Sequence, residues 1–331
     1  MTIVRAHAPG RVNLIGDHTD TTGGWVLPMA VDRGTTVVGE RSGREVRLRS
    51  TAVAGEAVVP IDVADPAAVT PEWARYVAGV VAEVRPGRGL VGEVRTTLPV
   101  GAGLSSSAAL EVAVALALGA EGSPVDLARL TQRAEQRASG VPCGIMDQLA
   151  SVAGRAGHAL LIDCTALTVD PVPVPDDVEV VVVHSGEPRT LAGSAYAERR
   201  AACEVAEAVI GPLRSAGLDE VTRVADPVVR ARARHVVTEN ARVLAAAAAL
   251  RAGDVATVGR LMGESHASLR DDFAVSTPGL DRLVARLSAT PGVLGARLTG
   301  AGFGGCAVAI TVPGTLAEGW VVRAADGAAL G

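Results

Sequence analysis

The sequence predicts an α+β fold in two halves, on three observations. At 331 residues the chain is long for one core and suits two domains that share a cleft. Strand-like and helix-like segments follow one another without a regular βαβ rhythm. A proline-rich stretch, LTVDPVPVPDD (167–177), breaks the pattern near the middle and marks the boundary. Residues 1–170 are thus expected to form an N-terminal domain and residues 178–331 a C-terminal one.

Residues 1–60 alternate loosely, and TTVVGE and REVRLRS read as strands. PEWARYVAGVVAEV (71–84) spaces Trp73, Val77, Val80, Val81 and Val84 as a helix does, with Pro71 and Glu72 at its start. GEVRTTLPV is a strand running into the turn GAGLSSSA, which opens a helix through Leu118. Two more helices, PVDLARLTQRAEQRAS and GIMDQLASVAG, precede the strand HALLIDC. The second half begins with the buried strand VEVVVVHSG and continues in long helical stretches from Tyr196 to Gly253. It closes with a strand and glycine loop, GARLTGAGFGGCAVAITV, and a last β-like piece, GWVVRAADG.

Hydrophobic residues make up 48% and aromatics 2%, which describes an aliphatic globular core. The net charge is −5 with no run of one sign, so no nucleic-acid surface is expected. All 31 basic side chains are arginine. A Walker-A loop or a protein-kinase site in ordinary form needs a lysine on the phosphates, and both are excluded. The four cysteines are far apart and form no CxxC pair, which suits a reducing compartment rather than a disulfide frame or zinc site. With neither a signal-peptide core nor an apolar run long enough to span a bilayer, the expectation is a cytoplasmic protein.

Four loops carry hydrogen-bonding chemistry. PVGAGLSSSAALE (99–111) places small residues and three serines before a helix, which suits either a phosphate site at the helix N-terminus or a serine-capped turn. TGAGFGGC (299–306) matches G-x-G-x-x-G in form, but no long βαβ unit follows, so a glycine loop beside the first is expected instead of a dinucleotide site. GIMDQ puts Asp147 in the first turn of a helix, where an acid often only complements the dipole. GRVNLIGDHTD crowds Asp17, His18 and Asp20 into one loop without the further ligands a metal site needs. Carboxylates so placed accept paired hydrogen bonds from the hydroxyls of a sugar.

Together these segments resemble the GHMP family of small-molecule kinases and, within it, the galactokinases. GRVNLIGDHTD is similar to the sugar-binding signature, GAGLSSSAALEVA to the phosphate loop and LTGAGFGGC to the third motif. CGIMDQLAS, HALLIDC, RTLAGSAYAERRAACE and RARHVVTENARVLAAAAAL follow in family order, so the resemblance spans nearly the whole chain. It implies two α+β domains with the active site in the cleft and ATP held chiefly by the N-terminal half.

The same resemblance implies a sugar-1-kinase that phosphorylates the anomeric hydroxyl of D-galactose. Asp147 would accept the proton or orient the hydroxyl, and Arg11 would keep Asp147 ionised and steady the transferring phosphoryl group. Asp17, His18, Asp20, Gly144 and Tyr196 match sugar contacts. Gly101, Gly103, Leu104, Ser105, Ser106 and Ser107 match the ATP loop, and Ser107 and Glu135 match the positions that hold Mg²⁺. Glu135 taken alone is an exposed helix charge.

The chain departs from the galactokinase pattern at Asp17, where a glutamate is usual, and at Thr21-Thr22, where Tyr-Asn is usual. Those changes keep open a kinase for L-arabinose, N-acetylgalactosamine or a C6-altered galactose. A regulator that binds galactose and ATP without turnover is a further alternative. A helix is also expected after CAVAITVPG, yet only GTLAEG stands before the last strand. A monomer is compatible with all of this.

Overall fold

Alternation is cleanest at the start of the chain, where Val4, Ala6 and Ala8 are buried and Ile3, Arg5 and His7 are exposed. One face of that strand packs and the other meets water. From Pro9 to Asn13 every residue is buried, because the strand continues beneath helices. The computed structural model describes residues 3–99, 103–188 and 192–331.

Its elements open with β1 (Ile3–Asn13), β2 (Trp25–Val26), β3 (Pro28–Glu40), β4 (Glu45–Ser50) and β5 (Glu56–Pro60). Next come α1 (Ala74–Val84), β6 (Leu90–Thr96), α2 (Ser106–Leu118), α3 (Pro124–Ser139) and α4 (Met146–Ala153). The middle of the chain holds β7 (His158–Asp163), β8 (Thr168–Pro173), β9 (Glu179–His184), α5 (Ala192–Ile210) and α6 (Leu218–Val221). After α7 (Pro227–Arg251), α8 (Val255–Asp271) and α9 (Pro278–Ser288), the chain ends in β10 (Val293–Thr299), β11 (Cys306–Thr311), β12 (Trp320–Val322) and β13 (Ala329–Leu330).

Six strands form one sheet in the order β13-β1-β3-β6-β4-β5, antiparallel except for the β4–β6 pair. The second half builds an antiparallel sheet, β10-β11-β9-β12, and a small sheet joins β2, β7 and β8. The mixed architecture matches the α+β expectation. The proline-rich stretch is not a bare linker, because Thr168–Pro173 pairs along β7 as β8 and continues past residue 170. As the edge strand of its sheet it tolerates Pro171 and Pro173, whose missing N–H groups need not serve a ladder. At the other end β13 pairs with β1, which returns the chain's last residues to the first sheet. No helix occupies residues 312–319, and β12 pairs directly with β9.

Helix starts follow local chemistry. Ser123 and Asp126 make a capping box ahead of α3, with Pro124 at its first position. Asp226 accepts from Val228 and Val229 N–H to start α7, and Thr277 accepts from Leu280 N–H to start α9. By contrast α2 is apolar on nearly all sides and is buried, with Ala108, Ala109, Ala113, Ala115 and Ala117 allowing close neighbours. One apolar cluster runs through both halves, from Val12, Leu27 and Val37 to Val182, Val308 and Ile310. The two halves of the chain therefore share one core.

Two close approaches place the functional loops. The β1–β3 register shifts between Pro9 and Arg11, and such a bulge re-aims the strand. A Cβ at Gly10 would stand 2.4 Å from the Leu104 carbonyl oxygen, so only glycine lets β1 pass under the serine loop. Likewise α8 crosses β10 with no room for a side chain at Gly259, where a Cβ would lie 1.9 Å from the Leu294 carbonyl oxygen.

That crossing gives a paired stability test. Gly259→Ala should destabilise by about 1–3 kcal/mol through overpacking. Gly263→Ala on the open side of the same helix should stabilise by about 0.5–1 kcal/mol. Urea denaturation of both variants measures the contrast, and equal midpoints would mean that α8 lifts off β10 without cost.

Candidate active site

A cavity of about 320 Å³ opens where segments of both halves converge. At its centre stands an ion pair between the first strand and a helix far along the chain. Arg11 Nε donates to Asp147 Oδ1 at 2.8 Å, and Nη2 lies 2.6 Å from the same oxygen. Nη1 donates to the Gly103 carbonyl at 2.6 Å, and Ser105 Oγ donates to Asp147 Oδ2 at 2.6 Å. Both Asp147 oxygens are thus fixed. Arg11 is buried while the Asp147 side chain keeps 28% exposure and lines the cavity. This acid does more than complement the dipole of α4.

The serine loop is shaped for an anion. Gly103 (φ 75°) and Ser105 (φ 56°) are left-handed, a strained choice for serine that concentrates at functional turns. No side chain caps the start of α2, so its leading N–H groups are available to a ligand. Gly103, Ser105, Ser106 and Ser107 line the cavity. Leu104 does not: its side chain is in the core and its carbonyl accepts from Arg11 N at 3.1 Å. Gly101 lies outside the described residues.

Ser107 and Glu135, matched in sequence to one metal position, do meet: Ser107 Oγ donates to Glu135 Oε1 at 2.9 Å. Glu135 faces inward from α3 and lines the cavity instead of standing as an exposed charge. Burial, with the Asp147 charge added, pushes its carboxyl up to about 7.

On the other wall Asp20 and Gly144 are in contact, since a Cβ at Gly144 would fall 1.8 Å from Asp20 Oδ2. Burial, reinforced by Asp147, pushes Asp20 up to about 6 even though Met146 and Thr21 N–H groups donate to it. His18 is left-handed (φ 66°), with its ring 5.5 Å from Tyr196 and 4.6 Å from Phe273. Burial lowers its pKa to about 3, so the ring is neutral, and its Nε2 is buried without a partner. Asp17 also lines the cavity, yet its carboxylate is spent inside the protein. Arg297 donates to one oxygen and Gly300 N–H to the other at 3.1 Å. The TGAGFGGC loop therefore packs on this loop, and its Gly300 and Ala301 line the same cavity as the serine loop.

Several residues that hold the site were not read from the sequence. On α7, Glu239 accepts from Gly16 N–H at 3.0 Å and Asn240 from Trp25 N–H at 2.8 Å, while His235 Nε2 lies 3.2 Å from the Asp17 carbonyl oxygen. Burial works to raise the Glu239 carboxyl, but His235, Arg242, Arg297 and the Ser265 hydroxyl outweigh it and hold it at about 2. Arg297, wholly buried, also donates to the Leu14 carbonyl at 3.1 Å. The available signal was the four-residue spacing of His235 and Glu239, which also fits an ordinary exposed helix face.

Comparison with known proteins gives three family matches. The galactokinase galactose-binding signature matches residues 2–41, the GHMP kinases N terminal domain residues 75–155, and the GHMP kinases C terminal residues 246–318. The galactokinase of Roseiflexus sp. (strain RS-1) is 48% identical over 332 residues, covering 93% of this chain and 83% of that protein. The Homo sapiens galactokinase is 45% identical over 322 residues, covering 92% and 82%. The crystal structure of Lactococcus lactis galactokinase complexed with galactose aligns with a TM-score of 0.92 at 32% identity, covering 99% of this chain and 95% of that one. A mevalonate kinase from Methanococcus jannaschii shares the fold, with a TM-score of 0.67 at 17% identity over 98% of this chain and 99% of that one.

The electrostatics of Asp20 are testable. Its folded-state value of about 6 lies above the ordinary 3.8. A raised carboxyl lowers stability fully above the folded value, and the penalty fades as pH falls to the unfolded value. Asp20→Asn should therefore raise the unfolding free energy at pH 8 by about 1–2 kcal/mol, with the gain gone near pH 4. Thermal unfolding across that range measures it, and a loss of stability at pH 8 would mean that the two N–H bonds outweigh burial.

Proposed function

The chain belongs to the galactokinases within the GHMP kinase family, and from that premise we infer which of its residues perform the transfer. The activity is that of a galactokinase: the γ-phosphoryl group of ATP passes to the anomeric hydroxyl of D-galactose, giving galactose 1-phosphate and ADP. The observation that carries the assignment is the Arg11–Asp147 pair beside the uncapped start of α2, inside one cavity.

Asp147 is the proposed base. As the anomeric oxygen attacks the γ-phosphorus, its proton passes to the Asp147 carboxylate while the bond to the bridging oxygen of ADP breaks. A carboxylate has about four lone-pair sites, so the bonds from Arg11 and Ser105 orient it and leave room for the sugar hydroxyl. Arg11 contributes a fixed positive charge near the transferring group and occupies the role that a lysine fills in other phosphate sites. Backbone N–H groups at the head of α2, with Ser105, Ser106 and Ser107, are the proposed phosphate cradle.

Asp20, His18, Gly144 and Tyr196 are the proposed sugar wall. Asp20 accepts hydrogen bonds from sugar hydroxyls, Gly144 leaves the space that Asp20 fills, and the neutral His18 offers its unpartnered Nε2. Asp17, committed to Arg297 and Gly300, acts by fixing the loop.

Mg²⁺ is proposed at Ser107 and Glu135. Among the described residues no three His, Cys, Asp or Glu side chains form a metal cluster. One carboxylate and one hydroxyl nevertheless fit a cation that takes its remaining ligands from phosphates and water. Burial lifts the Glu135 carboxyl to about 7, which marks a group that gains from a positive partner. The ion would supply neutralisation of the nucleotide phosphates. In this proposal residues 1–170 form the ATP-binding lobe, joined by the returning β13, and residues 178–331 the C-terminal lobe. No helix among the described residues is long and apolar enough to cross a membrane, and a cytoplasmic location is part of the same proposal.

Two measurements test these roles. Asp147→Asn should lower kcat by about 10²–10⁴-fold with ATP binding retained, because the base is lost in nearly the same shape. A wild-type rate would remove Asp147 from the chemistry. ADP release with Mg·ATP should be fastest on D-galactose in a panel with 2-deoxygalactose, N-acetylgalactosamine, L-arabinose, D-fucose, D-galacturonate and glucose. A different winner would move the sugar preference to the altered Asp17–Thr22 loop, and binding without turnover would refute the kinase.

A further inference from the structure

Gln148 follows Asp147 in the first turn of α4 and is wholly buried. Its Nε2 donates to Glu135 Oε2 on α3 at 2.5 Å and lies 3.5 Å from Glu111 Oε2 on α2. Ser107 Oγ takes the other Glu135 oxygen at 2.9 Å, so that carboxylate is pinned at both ends. Glu111 is also wholly buried, and the charges that face it, Glu135 and Asp147, are negative. Two atoms of the group, Gln148 Oε1 and Glu111 Oε1, are buried without partners. The transfer described above needs neither Gln148 nor Glu111.

We propose that Gln148 is a positioning residue that sets the Glu135 carboxylate for the cation of Mg·ATP, with Glu111 as its buried support. This rests on Glu135 as the cation-holding residue. The choice of an amide has a physical reason. An arginine in this place would also pin Glu135, but it would cancel the charge that attracts the cation. A neutral N–H donor fixes the carboxylate and leaves its charge intact. Burial, with the Glu135 charge added, pushes the Glu111 carboxyl well above its ordinary value. Gln148 is also one peptide bond from Asp147, so the base and the cation-side carboxylate are set by the same turn of α4.

The test is calorimetric binding of ADP with and without Mn²⁺, in the absence of sugar, together with KM values for Mg·ATP and galactose. Gln148→Met should weaken Mn²⁺-supported ADP binding and raise the Mg·ATP KM by about 10–100-fold, the range for loss of an outer partner of a metal ligand. Metal-free ADP binding and the galactose KM should change little. Gln148→Leu removes the donor with a second side-chain shape, so it should show the same selective loss if the methionine variant folds poorly. Glu135→Gln separates the two levels of inference. If it abolishes Mn²⁺ dependence while both Gln148 variants keep theirs, the positioning role is wrong and Glu135 stands. If Glu135→Gln keeps its Mn²⁺ dependence, both are wrong. Equal losses for galactose and nucleotide would reduce Gln148 to packing.

Discussion

The site depends on bringing Arg11 out of β1 and against Asp147 without leaving a buried guanidinium unpaired. A buried charge is tolerated only when its donors are satisfied and a counter-charge is close. Here Asp147 takes two of the donors and the Gly103 carbonyl a third. Those partners impose much of the surrounding architecture. Gly103 must sit above β1, so Gly10 must lack a side chain and the strand must bulge. The left-handed Gly103 and Ser105 then start α2, whose alanines allow β1, β3 and three helices to pack around it. The serine loop and the proposed base are consequently one rigid constellation, and not two motifs that happen to meet.

The opposite wall is held by a second set of buried polar groups from the other half of the chain. Glu239, Asn240 and His235 on α7 and Arg297 on β10 all bond to backbone or side chains of the Gly16–Trp25 loop. This loop has little apolar surface of its own, so hydrogen bonds must fix its path. Within it the Glu239 carboxylate is well compensated, as its low value indicates. The carboxylates that face the cavity are not. Asp20 and Glu135 are both raised, and they stand within the influence of Asp147. Stability is thus invested in the supporting shell and withheld from the groups that meet ligands, the usual distribution in a functional pocket.

What the sequence made legible follows from how locally each feature is encoded. Glycine spacing and a serine run determine a turn and the helix behind it, so the loops around Ser105 and Gly300 were visible. Asp147 was visible as a first-turn acid, but its partner stands 136 positions away, and only the family resemblance joined them. Glu135 was hidden because a helix charge reads as exposed until the packing of α3 against α4 is known. The Asp17 departure was visible, while its bonds to Arg297 and Gly300 were not. The pairing of β8 was not legible, since prolines fit an edge strand when pairing on one side alone suffices.

On the proposed assignments, the charge balance of the cavity accounts for how a lysine-free chain would handle a polyphosphate. Arg297 neutralises Asp17, and Arg11 neutralises Asp147, which leaves Asp20 and Glu135 as the uncompensated acids lining the pocket. A nucleotide by itself would add negative charge beside Glu135 and meet repulsion that the head of α2 offsets only in part. A nucleotide that arrives with a divalent cation reverses the sign of that encounter. Asp20, by contrast, stands on the proposed sugar wall, where uncharged hydroxyls would donate hydrogen bonds without Coulombic conflict. On the proposed assignments the two acids would divide the pocket between a cation-carrying substrate and a neutral one, with Asp147 lining the same cavity as the base for the transfer.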